Sequence, residues 1–107
     1  MTNESGSRLT AERLTAEQWA ARFGILGDPT RLRLLIAMHD RPGLGVRELA
    51  ERAEVGENAA SQALRVLREA DWVHTHREGR TVRYTLRSDA IVHRVLHDIL
   101  GIRHTET

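Results

Sequence analysis

The tightest constraint on the fold lies at residues 46 to 70, where two short helical patterns flank a turn. In the first, VRELAERA, four small or apolar residues recur on one side: Val46, Leu49, Ala50 and Ala53. In the second, over about residues 57 to 70, the same spacing is kept by Ala60, Ala63, Leu64 and Leu67. Each stripe suits a short helix with one buried face. Because Val55-Gly56-Glu57-Asn58 between them is typical of a tight turn, the segment predicts a helix-turn-helix.

The periodicity changes from helical to strand-like after Trp72. Residues suited to strands lie on both sides of Glu78-Gly79, which we expect to form the turn of a hairpin: Val73, Thr75, Val82 and Tyr84. Three basic residues are predicted to cluster at its tip: Arg77, Arg80 and Arg83. This is the sole sign of paired strands in a sequence dominated by helix formers. The predicted fold is therefore α+β and mainly α.

Capping signals place two further helices at the start of the chain. Thr15 and Gln18 have the spacing of a capping box, and apolar residues follow on one helical face: Trp19, Phe23 and Leu26. Gly27 is expected to end this helix. Asp28-Pro29 is expected to begin the next one, with the aspartate as N-cap and the proline at the first helical position.

A broad apolar arc marks the last helix, which we expect from about Ser88 or Asp89 to Ile102. Six residues form the arc: Ile91, Val92, Val95, Leu96, Ile99 and Leu100. It is wider than a helix covering one small domain needs, so we expect a second copy of the chain to cover it in a homodimer. The 107 residues suit one folded domain, predicted over residues 9–103 with polar tails at 1–8 and 104–107.

Composition excludes several classes of protein. With no cysteine, the chain has no disulfide, no thiolate metal site and no thiol redox sensor. No apolar run approaches the roughly 20 residues that span a bilayer, and no signal peptide is evident, so we expect a cytoplasmic protein. Without a cysteine nucleophile, a glycine-rich phosphate loop or a clustered carboxylate pair, we do not expect an enzyme and name no catalytic residue.

Polar side chains on the second helix of the helix-turn-helix are candidates for DNA contacts. Such a helix enters the major groove, where polar residues near its start face base edges and arginines neutralise phosphates. We expect these roles for Asn58, Ser61, Gln62, Arg65 and Arg68. The hairpin would lie beside it as a wing, with Arg77, Arg80 and Arg83 along the backbone or in the minor groove. The predicted partner is double-stranded operator DNA.

Four blocks of the sequence resemble the ArsR/SmtB family of metalloregulators: GILGDPTRLRLLIAM, VRELAERAEV, ASQALRVLREADWV and HREGRTVRYTL. The resemblance covers roughly residues 17 to 100 and implies a dimeric winged helix-turn-helix regulator in which ASQALRVL is the recognition helix. Ala63 stands where many members have histidine. Asp71 stands where the family usually has glycine, and aspartate tolerates left-handed backbone better than most residues.

The resemblance also implies a sensor site on the last helices, which pair antiparallel across the dimer in that family. Four residues lie on one flank of the predicted helix: Asp89, His93, His97 and His104. His93 and His97 are one turn apart, a spacing that lets two imidazoles chelate one ion. His104 could join only from the partner helix. Nitrogen and oxygen ligands without sulfur suit Ni²⁺, Zn²⁺ or Co²⁺, of which we favour nickel.

Departures from the family pattern leave the ligand set open. The usual acid-x-His is broken by Asp89-Ala90-Ile91, and Thr107 replaces the second acidic ligand, so Asp98, Glu106 or an acid of the first helix would substitute. The histidines could instead rim the dimer interface without binding metal. The histidine pair His74 and His76 is a weaker chelation candidate, and His39 is expected to interact with helix-end carbonyls.

Three functions fit these residues. The first is a homodimeric, metal-responsive DNA-binding regulator. The second keeps the DNA binding but places it under a small ligand or a partner protein acting as co-regulator. The third is a dimeric protein-interaction module without DNA binding, for which the net charge of only +1 is the single argument.

Overall fold

A computed structural model describes residues 14–87, 91–99 and 101. The elements follow in this order: α1 (Ala16–Leu26), α2 (Pro29–Asp40), α3 (Val46–Ala53), α4 (Glu57–Glu69), β1 (Val73–Glu78), β2 (Thr81–Leu86) and α5 (Ile91–Arg94), which continues as a π-helical segment (Val95–Ile99). The fold is mainly helical with one antiparallel hairpin, as predicted. The predicted tails lie outside the described residues.

The predicted caps of α1 and α2 are confirmed. The Gln18 N–H donates to Oγ1 of Thr15 at 3.1 Å, and the Thr15 N–H donates to Oε1 of Gln18 at 2.9 Å, which completes the capping box. α1 ends at Gly27. Oδ2 of Asp28 accepts the Arg31 N–H at 3.0 Å at the start of α2. Local side-chain chemistry therefore sets both helix starts.

The turn between α3 and α4 is shorter than predicted. α3 ends at Glu54, which has a left-handed φ of 58°, and Gly56 is the N-cap of α4. α4 begins at Glu57, as predicted for the helix over about residues 57 to 70, because the backbone at Gly56 is extended; Glu57 and Asn58 of the predicted turn form its first turn. After α4, Asp71 has a φ of 68°, which confirms that it takes the left-handed conformation expected at this position.

The hairpin turn lies one residue later than predicted. Glu78 still pairs with Thr81, so the two turn residues are Gly79 and Arg80. Gly79 has a φ of +65°, and glycine at the first position of a two-residue turn supplies the positive φ that such hairpins need. Leu44 adds an isolated antiparallel bridge to Tyr84, which attaches the hairpin to the segment before α3.

The core forms around α2, which packs against α3, α4 and β2. Its largest fully buried apolar side chains are Leu34, Leu35, Met38, Leu49, Leu64, Leu67, Trp72, Val73 and Leu96. Leu96 brings the C-terminal helix onto this core. Small residues of α4, Ala60 and Ala63, are also buried, so α4 approaches α2 closely and its polar side faces outward.

The first helix is attached to the core, with Trp19 half-buried and Phe23 exposed among the described residues. None of its residues is fully buried, Phe23 is 53% exposed, and the Trp19 and Phe23 rings stack with centroids 5.6 Å apart. Arg22 holds α1 in place: its guanidinium lies 5.0 Å from the centre of the Trp72 ring and donates to the Ala70 carbonyl at 3.1 Å. Burial lowers the pKa of Arg22, and this is partly offset by the charge of Asp71.

None of the helices in the described ranges is long and apolar enough to cross a membrane.

Candidate nucleic-acid interface and histidine cluster

Apart from Ala59, the outward side of α4 is polar. All five residues predicted to contact DNA on this helix are exposed: Asn58, Ser61, Gln62, Arg65 and Arg68. The opposite side is the buried stripe of α4, so the core fixes which way these five residues face. Gly56 is the N-cap of α4, so the helix begins at Glu57 and Asn58 lies in its first turn. The N-terminal half of α4 therefore exposes its polar side to solvent.

The three arginines of the hairpin do not share one face. Arg77 is paired with Val82, whereas Arg83 is paired with His76, so Arg77 and Arg83 project from opposite sides of the two strands. Arg80 lies in the turn itself. Arg77 and Arg80 are exposed, and within the described residues neither forms an ion pair. These two arginines are the ones presented to a partner.

Arg83 instead joins the hairpin to the body of the protein. Its Nε donates to Oε1 of Glu78 at 2.6 Å, and one terminal nitrogen donates to the Gly43 carbonyl at 2.9 Å. The Gly43 N–H donates to the Tyr84 carbonyl at 3.0 Å beside it. Arg83 therefore orients the wing, a role that sequence reasoning missed because its acceptor at Gly43 lies 40 residues away.

A cluster of three histidines, His39, His93 and His97, lies where α2 meets the C-terminal helix. The predicted neighbours His93 and His97 have ring centroids 6.1 Å apart and nearly parallel planes, 7° from each other. The ring of His39 lies 5.1 Å from His93 and 5.8 Å from His97. We call these three side chains the histidine cluster. The proximity of His93 and His97 follows from their spacing, whereas the third member comes from another helix.

His39 has the helix-end position predicted for it. It lies in the last turn of α2, but it is buried, with 1% of its surface exposed, and its ring packs on the two other histidines. Leu35, one turn earlier, is fully buried, and Met38 beside it is 1% exposed. Helical spacing from Leu35 was the one sequence signal for burial of His39, since residues four apart lie on the same side of a helix.

A carboxylate supports the outer side of the cluster. Nδ1 of His97 lies 3.1 Å from Oδ1 of Asp98, and Oδ2 of Asp98 lies 3.8 Å from Nε of Arg94. When Nδ1 of His97 carries the proton, this contact leaves its Nε2 as the acceptor. Asp98, considered from sequence as a substitute ligand, is thus placed to orient His97.

The remaining predicted ligands are not brought into this cluster. Asp89 and His104 lie outside the described residues. Over the described ranges, no group of three or more histidine, aspartate or glutamate side chains lies together in a way that could hold a metal ion. His74 and His76 lie on the same exposed face of β1, with Thr85 and Arg83 opposite them.

Comparison with protein-family models gives one match. Residues 28–75 match the model described as bacterial regulatory protein, arsR family. The match includes α2, α3, α4 and the first residues of β1. It therefore contains the helix whose polar side is exposed, together with the two helices that α4 packs against.

Two curated relatives and a solved structure agree with this match. A transcriptional repressor SmtB homolog of Synechocystis is 42% identical over 72% of this chain and 58% of its own length. The HTH-type transcriptional regulator KmtR of Mycobacterium tuberculosis is 34% identical over 77% and 62%. This chain thus spans about three-fifths of these relatives. The AntR antimony-specific transcriptional repressor has a TM-score of 0.69 and 27% identity, covering 90% of this chain and 93% of its own. All three are regulators, in agreement with the expectation that the chain is not an enzyme.

Replacing Arg83 and replacing Arg77 should have different effects. Arg83→Ala removes the contacts to Glu78 and Gly43, so the amide of Gly43 should exchange with solvent faster, by roughly fivefold for about 1 kcal/mol of lost local stability. Arg77→Ala should leave this exchange unchanged. Hydrogen–deuterium exchange read by NMR measures both. Equal protection of Gly43 in wild type and Arg83→Ala would contradict the orienting role.

Proposed function

Because this chain belongs to the arsR family of bacterial regulatory proteins, we propose that it is a transcription regulator that binds operator DNA as a homodimer. The observation that carries the proposal is the exposed polar side of α4, which lies beside a two-stranded wing and is fixed in orientation by a buried stripe. A helix presented in this way fits the major groove of B-DNA.

Each exposed residue of α4 has a contact that suits its chemistry. Gln62 and Asn58 can pair in a bidentate manner with adenine, and Arg65 with guanine. Arg68, further along the helix, suits a phosphate. Arg77 and Arg80 of the wing would follow the backbone or enter the minor groove, while Ser61 can contact either a base or a phosphate. The affinity would come mainly from the arginines and the sequence preference mainly from α4.

The homodimer is supported by the uncovered aromatic face of α1. Phe23 is 53% exposed and its ring stacks on that of half-buried Trp19, so α1 offers an aromatic surface that a second copy could cover. The apolar arc predicted for the last helix points to the same need for a partner copy. A twofold dimer would read a palindromic operator with half-sites about one helical turn, roughly 34 Å, apart.

We further propose that the regulator responds to a transition metal ion, with nickel favoured over zinc and cobalt, in the cytoplasm. His93 and His97 support this because their rings already lie side by side. Asp89 and His104 are the further ligands proposed from sequence. The description of AntR as antimony-specific adds an example of ion sensing on a similar fold. The ion would act by binding one state of the dimer more tightly than another.

The second candidate keeps the DNA binding and replaces the metal with a small ligand or a partner protein. The observation that favours it is that, in the part of the chain the structure describes, no group of three possible ligands lies together in a way that could hold a metal ion. Calorimetric titration with nickel and zinc separates the two candidates, because this alternative predicts no binding heat at either metal.

Substitutions on α4 and on the wing should affect DNA binding differently. On a duplex selected from a randomised library with wild-type protein, Gln62→Ala should weaken binding by about 5- to 150-fold while leaving non-specific binding unchanged. Arg77→Ala should weaken both and reduce the salt slope by about one per protomer. Fluorescence anisotropy of a labelled duplex at several salt concentrations measures each effect.

Arg33→Ala is the matched control, since Arg33 is an exposed arginine of α2 and belongs to neither α4 nor the wing. It should bind DNA within about twofold of wild type, because an exposed charge outside the interface affects only screened long-range attraction. The interface is contradicted if Arg33→Ala weakens DNA binding as much as Arg77→Ala does.

Removal of the chelating pair should abolish the metal response alone. The His93→Ala, His97→Ala double variant should bind the selected duplex as wild type does in the absence of metal and lose its response to added nickel chloride. The same assay on His74→Ala, His76→Ala controls for loss of two exposed histidines and should keep the response. An unchanged nickel response in the His93, His97 variant would disprove the site.

A further inference from the structure

We propose that Arg22 is a positioning residue for DNA binding, which ties the first helix to the junction between α4 and the wing. The inference rests on the proposed function, a homodimer that binds a palindromic operator. It adds a link between the helix that a second copy would cover and the two elements that would contact DNA. We call Asp71 and Trp72 the joint, because they lie between the C-cap of α4 and the start of β1.

The joint ends α4 with a Schellman motif. The Trp72 N–H donates to the Leu67 carbonyl at 3.1 Å, and the Asp71 N–H donates to the Arg68 carbonyl at 3.0 Å. The left-handed φ of 68° at Asp71 turns the chain out of the helix, and the side chains of Trp72 and Leu67 are both fully buried. The direction in which the chain leaves α4 is therefore fixed by backbone hydrogen bonds and by the core.

The base of the wing is attached to the same two residues. The Arg87 N–H donates to the Trp72 carbonyl at 3.0 Å, and one terminal nitrogen of Arg87 lies 3.4 Å from Oδ1 of Asp71. Arg87 directly follows β2, and Val73 of β1 pairs with Leu86 at this end of the hairpin. A displacement of the joint would therefore move both α4 and the wing.

Arg22 adds a contact to the end of α4 from a different helix. One of its terminal nitrogens donates to the Ala70 carbonyl at 3.1 Å, and its guanidinium lies 5.0 Å from the centre of the Trp72 ring. The carbonyl end of a helix carries partial negative charge, which a cation stabilises. Burial lowers the pKa of Arg22 more than the charge of Asp71 raises it, so the guanidinium is partly withdrawn from water and salt screens its contacts only weakly.

Arg22 belongs to the helix that a second copy of the chain would cover. It follows Trp19 by three residues and directly precedes Phe23, whose side chain is 53% exposed. Because consecutive residues of an α-helix point about 100° apart, Arg22 reaches the joint while Phe23 remains available to a partner copy. α1 also packs on α2, so loss of the Arg22 contacts should leave the helix in place. A partner copy bound to α1 would hold the joint of each protomer through Arg22.

Two such links would set the geometry of a twofold dimer. The buried stripe of α4 fixes which way its polar side faces, and Arg22 fixes its C-terminal end relative to α1. With the two copies of α1 held at the dimer interface, the separation and tilt of the two α4 helices would depend on both Arg22 contacts. The half-site spacing that the dimer accepts reports this geometry.

The test compares operators that differ in half-site spacing. Moving one half-site of the selected duplex outward by two base pairs turns it about 70° around the duplex and shifts it by about 7 Å. Wild type should bind the shifted duplex more weakly than the selected one, and this ratio of affinities is the spacing penalty. In Arg22→Gln the spacing penalty should shrink by about tenfold, because a hydrogen bond from a charged donor is worth roughly that factor in an equilibrium. Fluorescence anisotropy measures both affinities.

Arg52→Ala is the matched control, since it removes an arginine contact between two other helices, the 2.7 Å ion pair with Asp40. It should keep the wild-type spacing penalty. Arg22→Lys keeps a cation near the Trp72 ring and should show a spacing penalty between those of wild type and Arg22→Gln. If Arg22 contributed only to stability, both duplexes would be bound more weakly by the same factor and the spacing penalty would not change. Thermal unfolding and analytical ultracentrifugation check that each variant is a folded dimer.

A second readout needs no DNA. Hydrogen–deuterium exchange read by NMR should show faster exchange of the Asp71 amide in Arg22→Gln than in wild type, because the end of α4 opens more often without its cap. Arg52→Ala should leave this exchange unchanged. If Arg22→Gln does not fold, both comparisons are made with Arg22→Lys, which retains the charge.

Three outcomes would overturn the role of Arg22 while the proposed function stands. They are a spacing penalty unchanged by the folded Arg22 variants, a wild-type protein indifferent to the spacing, and Arg22 variants that are monomeric, since Arg22 would then act through dimer assembly. Failure of wild type to select and bind any duplex would instead overturn the proposed function, and the inference with it.

Discussion

The packing of α2 against α3 and α4 is the interaction on which the rest of the structure depends. Alanines on the buried stripe of α4 let it lie close to α2, and this contact turns five polar residues toward solvent as one surface. Leu64 and Leu67, both fully buried, anchor the same helix. Truncating a buried leucine costs about 2–5 kcal/mol, a large part of the stability of a small domain. The orientation of α4 is thus a product of core packing.

The wing and the C-terminal helix are both attached to this core by buried apolar residues and by polar or aromatic contacts beside them. Arg83 joins the hairpin to Gly43, and the ring of His39 meets those of the C-terminal helix. Both contacts involve residues near the end of α2: His39 lies in its last turn, and Gly43 follows in the next segment. A change in the histidine cluster would therefore act close to the segment that holds the wing. Allosteric control requires only that the effector prefer one arrangement of these attachments over another.

Local signals predicted most of the fold and half of the site. The capping box at Thr15, the N-cap at Asp28 and the left-handed Asp71 depend on neighbouring residues, so the sequence alone indicates them. The polar side of α4 follows from helical periodicity in the same way. The contact of His39 with His93 and His97 could not be predicted, because it joins helices more than 50 residues apart in sequence. The hydrogen bond from Arg83 to the Gly43 carbonyl could not be predicted for the same reason, since its two partners lie 40 residues apart.

The claim that α4 enters the major groove is tested most directly by methylation protection. Dimethyl sulfate methylates guanine at N7, which lies in the major groove, so a helix inserted there shields it. With the selected duplex, wild-type protein should protect guanines in two half-sites centred about one helical turn apart. Stable binding of that duplex with every guanine N7 still reactive would contradict the account.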